Sequence, residues 1–87
     1  MLKRFLLSIL LVSTCLLASV EDVQTTYDKG LESYKLKDFQ SSFELFNSIY
    51  FKKLDDINFN FYFGRSAYET GNYEKALAAF ERVEIYD

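Results

Sequence analysis

The sequence predicts an all-α protein made of two antiparallel helix-turn-helix units behind a short apolar leader. Three observations lead there. First, residues recur at an offset of 34: Gly30 with Gly64, Tyr34 with Tyr68 and Phe46 with Phe80, while Tyr27 pairs with Phe61, Ser33 with Ala67, Ser42 with Ala76, Phe43 with Leu77 and Ile49 with Val83. A period of this length marks stacked repeats, each too small to bury its own apolar face. Second, the apolar residues keep a helical period, as in Phe39, Phe43, Phe46 and Ile49 and again in Tyr73, Leu77, Phe80 and Val83, without the alternation of a strand. Third, cap and turn residues divide each unit in two.

The leader covers residues 1–19. Lys3 and Arg4 precede an uncharged run from Phe5 to Val20 that includes the small pair Ala18-Ser19, the order of a secretory signal peptide. The run is 16 residues long, short of the ~20 needed to span a bilayer. Cleavage near Ala18 or Ser19 is the expectation, and it places the mature chain outside the cytoplasm, in the periplasm or cell envelope. Cys15 opens an alternative, because Val12-Ser13-Thr14-Cys15 resembles a lipoprotein box and makes Cys15 a candidate for acylation. Thr14 stands where that box prefers a smaller residue, and Leu16-Leu17 stay apolar where the chain should turn polar. A lipoprotein or a signal-anchored chain is therefore the second expectation, and membrane contact is expected only through this segment. Loss of Lys3 and Arg4 takes the net charge from -3 to -5. A single Cys leaves no disulfide, so helix packing must supply the stability.

Helices are expected at about 22–36, 39–53, 57–70 and 73–86, within a repeat region of residues 20–87. Asp38 and Asn72 are N-cap types before the second and fourth helices, and Asp55-Asp56 can cap the third. Gly71 suits the left-handed residue that ends the third. Connections this short force neighbouring helices to run antiparallel.

Gly30 and Gly64 fall in mid-helix, where glycine costs about 1 kcal/mol relative to Ala. Close helix approach offsets that cost: each glycine is followed twelve residues later by a small residue, Ser42 or Ala76, with Phe46 or Phe80 filling the space beside it.

Composition narrows the function. With no His and one Cys, the Ser-His-Asp triad, the Cys-His dyad and the Cys/His zinc sites are all excluded. The 10 basic residues against 13 acidic ones include no cluster beyond Lys52-Lys53, so nucleic acid is not an expected partner. Asp55-Asp56 and Glu21-Asp22 are the only adjacent acidic pairs; Asp55-Asp56 is explained by a helix start, so a catalytic carboxylate pair is not expected, and no calcium-loop pattern occurs. The expectation is a protein that is not an enzyme and holds no metal and no cofactor.

The segment GRSAYETGNYEKALAAF, from Gly64 to Phe80, resembles a tetratricopeptide repeat (TPR). Gly64, Gly71, Tyr73, Ala76 and Phe80 fall on the family's small, turn, aromatic, Ala and aromatic positions. In the first unit Gly30, Phe39 and Phe46 match, while Lys37 stands for the turn Gly, Ser42 for Ala, and Lys29 at an ordinarily apolar place. Thr26 and Asn60 stand where the family often has Trp, and Leu54 where it often has Pro. The resemblance covers residues 23–87, with unit one at about 23–56 and unit two at about 57–87 and C-terminally incomplete. It implies helix pairs stacked as an α-solenoid fragment whose first helices line a concave groove for a peptide or partner protein. Carried onto this chain, that groove is lined by Tyr27, Leu31, Tyr34 and Lys35 and by Phe61, Arg65, Tyr68 and Glu69. Some members clamp a C-terminal carboxylate with Lys and Asn; Tyr27 and Leu31 in the first clamp positions count against that role here.

Of the seven Tyr and nine Phe, only Phe5 precedes Ser19, a heavy aromatic load for a short chain. Phe43, Phe46, Phe63, Leu77 and Phe80 are expected in the core. Tyr27, Tyr34, Phe61 and Tyr68 divide between packing and recognition, and Arg65 between a ligand carboxylate, an aromatic ring and an ion pair with Glu69. The leading expectation is a protein-binding module in the cell envelope. The alternatives are the N-terminal repeat region of a longer envelope enzyme or export component, since stacked repeats ordinarily need about three units, and a self-associating adaptor, which would be a homo-oligomer.

Overall fold

A computed structural model describes residues 21–86. The leader of residues 1–19, with Cys15, lies outside the described residues. The described chain is all-helical: α1 (Val23–Lys35), α2 (Phe39–Ile49), α3 (Ile57–Glu69) and α4 (Tyr73–Tyr86), with a 3-10 turn at Tyr50–Lys52. Among the described residues there is no strand. No helix among them is long and apolar enough to cross a membrane.

Each helix start has a local cause. The Oδ1 atoms of Asp22, Asp38 and Asp56 accept the backbone N–H of Thr25, Ser41 and Phe59 at 2.7, 3.2 and 3.0 Å. These bonds satisfy donors that a helix leaves unpaired in its first turn. Accepting from Thr25 also holds the exposed Asp22 carboxyl below its ordinary 3.8. Asn72 acts differently: its backbone carbonyl receives Ala76 N–H at 3.0 Å, and its side-chain amide donates to Thr70 Oγ1 at 2.9 Å.

Two helix ends share one geometry despite different sequences. After α1, Lys37 N–H donates to Tyr34 O and Asp38 N–H to Ser33 O, both at 2.9 Å. After α3, Gly71 N–H donates to Tyr68 O at 3.1 Å and Asn72 N–H to Ala67 O at 2.8 Å. This pair of bonds requires a left-handed residue; Gly71 has φ 82° and Lys37, a non-glycine, φ 61°. The second helix ends earlier than the expected residue 53. After Ile49 the chain tightens into the 3-10 turn, whose bond from Lys53 N–H to Tyr50 O at 3.0 Å satisfies a terminal carbonyl as the chain turns toward Asp56.

α1 packs on α2 and α3 on α4, while α3 also packs on α2 and touches α1. The result is two helix hairpins laid side by side. Between them runs an aromatic seam: Phe46 meets Phe59 edge-on at 5.4 Å, Phe59 meets Phe63 at 5.6 Å, and Phe43 stacks on Phe63 at 5.8 Å. Two of the five expected core residues are corrected. Leu77 is 61% exposed and Phe80 38%. Their counterparts Phe43 and Phe46 are buried because α3 lies against them; among the described residues no helix lies against the outer face of α4.

Candidate functional site

The glycines first set how the helices approach. A Cβ on Gly30 would meet the Phe46 ring, with Cδ1 at 2.7 Å, and one on Gly64 would meet the Phe80 ring, with Cδ1 at 2.9 Å. The ring itself, rather than the small residues Ser42 and Ala76, occupies the space of the missing side chain. Ser42 lies fully buried and its hydroxyl meets that of Ser66 across the two hairpins at 2.7 Å. Ala76 is buried in α4.

The eight residues expected to line a groove separate into two groups. Tyr27, Leu31 and Tyr34 on α1 are half-buried. The Tyr27 ring lies 5.9 Å from Phe46 and 5.7 Å from Phe59, and Tyr34 packs edge-on against Tyr62 at 5.0 Å and Phe39 at 5.6 Å. Burial, then the nearby Asp56 carboxylate, pushes the Tyr27 phenol up to about 12. These rings bind the first hairpin to the second.

On α3 the side chains stand outward. Phe61 is 47% exposed and Tyr68 58%, with the exposed Arg65 between them at helical spacing. The Arg65 guanidinium lies 5.6 Å from the Phe39 ring, and its Nε is 3.7 Å from Glu69 Oε1. Stacking and ion pair therefore coexist, and together they hold a cation among exposed rings. Tyr68 meets Tyr73 at 5.5 Å, extending the aromatic surface to the start of α4. Lys35 is exposed in the last turn of α1.

Two features were not foreseen from the sequence. A cavity of about 300 Å³ is lined by Tyr50, Phe63, Glu74, Lys75, Ala78 and Arg82, none of them among the expected groove residues. Its cations are already engaged: Lys75 Nζ donates to Asn47 Oδ1 at 2.8 Å, and Arg82 Nε donates to Asn60 Oδ1 at 2.8 Å. Asn60 is fully buried and donates in turn to the Leu54 and Asp56 carbonyls, each at 2.9 Å. The available signal was the polar Asn60 on an otherwise apolar helix face, since a buried amide must find partners for both its ends.

No cluster of three or more potential metal ligands exists among the described residues. No family model matches the chain, and neither a curated protein nor a solved structure matches it.

Proposed function

We propose that this chain is a TPR-type, solenoid-forming interaction module, exported by its leader, that captures a segment of a partner protein in the cell envelope and catalyses nothing. One observation carries this reading: Phe61, Arg65 and Tyr68 form an exposed aromatic-cation-aromatic row along α3. Rings on a rigid helix bury large area at small entropic cost, and Tyr keeps a polar tip for hydrogen bonding. Arg65 beside them suits a carboxylate or a carbonyl of an extended segment. The 34-residue echo of the glycine-ring contact, Gly30 with Phe46 and Gly64 with Phe80, supports the repeat assignment. The half-buried Tyr27, Leu31 and Tyr34 then support the row rather than contact the partner.

A photo-crosslinking residue at position 68, in cells exporting the chain, tests this reading. A discrete adduct with one envelope protein is expected, lost on Arg65→Ala or Phe61→Ala while helicity by circular dichroism is kept. Equal adduct formation from position 44, on α2, would sink the assignment.

A further inference from the structure

The contact between the two hairpins shows what covers an aromatic helix face in this molecule. The face of α2 carrying Phe43 and Phe46 is covered by α3 through Phe63 at 5.8 Å and Phe59 at 5.4 Å, an aromatic pair four residues apart. A cation accompanies the pair: Lys75 from α4 donates to Asn47 and lies 5.7 Å from the Phe43 ring and 6.0 Å from the Tyr50 ring.

The outer face of α4 repeats the α2 face 34 residues on, with Tyr73, Leu77 and Phe80 in place of Phe39, Phe43 and Phe46. At 100° per residue these three form one stripe, and Tyr73 is 63% and Leu77 61% exposed. The neighbours of the cation change character. Asn47 becomes Glu81 and Tyr50 becomes Glu84, both exposed. A cation placed as Lys75 is placed would meet two carboxylates there instead of an amide and a ring. The cations of α4 do not offset these charges, because Lys75 and Arg82 are bonded to Asn47 and Asn60 on the opposite side.

A second copy of the chain does not supply the complement. The α1 positions equivalent to Phe59, Phe63 and Ala67 hold Thr25, Lys29 and Ser33. Pairing α4 with α4 in parallel would bring Glu81 and Glu84 of both copies together, where like charges repel; run antiparallel about Leu77, it sets Glu81 opposite Tyr73 and Glu84 near Thr70, with no cation for either carboxylate. We propose that the outer face of α4 is a docking surface for an amphipathic helix of another protein, one that presents apolar or aromatic side chains four residues apart and directs a Lys or Arg at Glu81 and Glu84. This surface meets the Phe61–Tyr68 row only at Tyr73, whose ring lies 5.5 Å from Tyr68, and Leu77, Phe80, Glu81 and Glu84 extend away from that contact along α4.

The test uses the full chain and a fluorescein-labelled peptide of residues 56–86, which carries the Phe59–Phe63 pair and Lys75. Saturable binding is expected by fluorescence anisotropy. Leu77→Asp in the chain should weaken it about tenfold, the scale of a central interface contact, while Glu44→Gln, at an exposed position of α2 outside both surfaces, leaves it unchanged. Leu77 is exposed, so helicity should survive its replacement. Glu81→Lys with Glu84→Lys should also weaken binding, and Lys75→Glu in the peptide should restore it. Binding indifferent to Leu77→Asp, as exchange with the chain's own α3–α4 would give, overturns the proposal. So does absence of binding together with Leu77-dependent dimerisation in sedimentation, which would assign the face to a second copy. Binding that appears only after Leu10→Lys in the leader overturns it too, assigning the face to the chain's own apolar segment.

Discussion

The ring of Phe46 fills the space that a side chain on residue 30 would need, with Cδ1 2.7 Å from where a Cβ would stand. The same relationship recurs between Gly64 and Phe80 at 2.9 Å. What differs is the surroundings of the ring. Phe46 is fully buried and flanked by Tyr27 and Phe59, whereas Phe80 is partly in solvent.

That difference makes two equivalent substitutions behave differently. Gly30→Ala pushes on a ring with nowhere to go, an overpacking cost of about 1–3 kcal/mol, set against about 1 kcal/mol of helix propensity gained. A net loss of up to roughly 2 kcal/mol is expected. At Gly64→Ala the half-exposed Phe80 can swing outward, so the two effects nearly cancel, within about 0.5 kcal/mol of neutral. Urea denaturation of both variants decides; equal losses would show that the exposed ring is as confined as the buried one.

The paired helix ends give a second expectation. Lys37 sits at φ 61° where its counterpart Gly71 sits at φ 82°. Left-handed backbone strains a side-chain-bearing residue by about 1–2 kcal/mol, so Lys37→Gly should stabilise by roughly 0.5–1 kcal/mol after glycine's own entropy cost. Gly71→Ala should cost about 1 kcal/mol. A Cβ there would meet nothing within 4 Å, so that loss reports backbone conformation alone. Thermal unfolding should move in opposite directions for the two variants.

Asn60 ties the link between hairpins to α3 and α4 through its bonds to Leu54, Asp56 and Arg82. Asn60→Ala removes all three at once and leaves a void at a fully buried position, while Asp56 O keeps the Asn60 backbone N–H, so the expected cost is about 1–3 kcal/mol. Asn60→Asp should cost at least as much: its carboxylate still accepts from Arg82, but an oxygen replaces the amide donor and faces the Leu54 and Asp56 carbonyls at a fully buried position. A loss below about 0.5 kcal/mol for the Ala variant would mean that water replaces the amide freely.

Alkaline pH supplies a fourth check, through Tyr27. Its phenol is raised from 10.0 to about 12, chiefly by burial and next by Asp56. Between those values the folded chain keeps a proton that the unfolded chain has lost. The Tyr27 contribution is therefore complete below pH 10 and declines as pH rises through about 12. Comparing unfolding at pH 8 and pH 11 for the native chain and Tyr27→Phe isolates it from other titrating groups. The variant should show the smaller drop, and identical drops would remove Tyr27 from the account.

The helical class and the place of each element were legible because they rest on local chemistry. Asp38 and Asp56 cap the helices they precede, and Gly71 adopts the positive φ for which its lack of a side chain suits it. The 34-residue period likewise pointed to Gly30 and Gly64 as close-contact positions. Identifying the ring as the contact atom needed the tertiary arrangement, because period alone does not say which way Phe46 turns.

The sequence by itself determined the helices, their caps and the equivalence of the two hairpins, since each depends on residues within a few positions or on a repeated spacing. Tertiary structure alone decided which equivalent residues differ in fate. Phe43 and Leu77 obey the same pattern, yet one is buried and the other exposed, because burial depends on what lies against a face and not on the face itself. For the same reason Tyr27 and Tyr34 became packing while Phe61 and Tyr68 remained outward: the second hairpin covers the first.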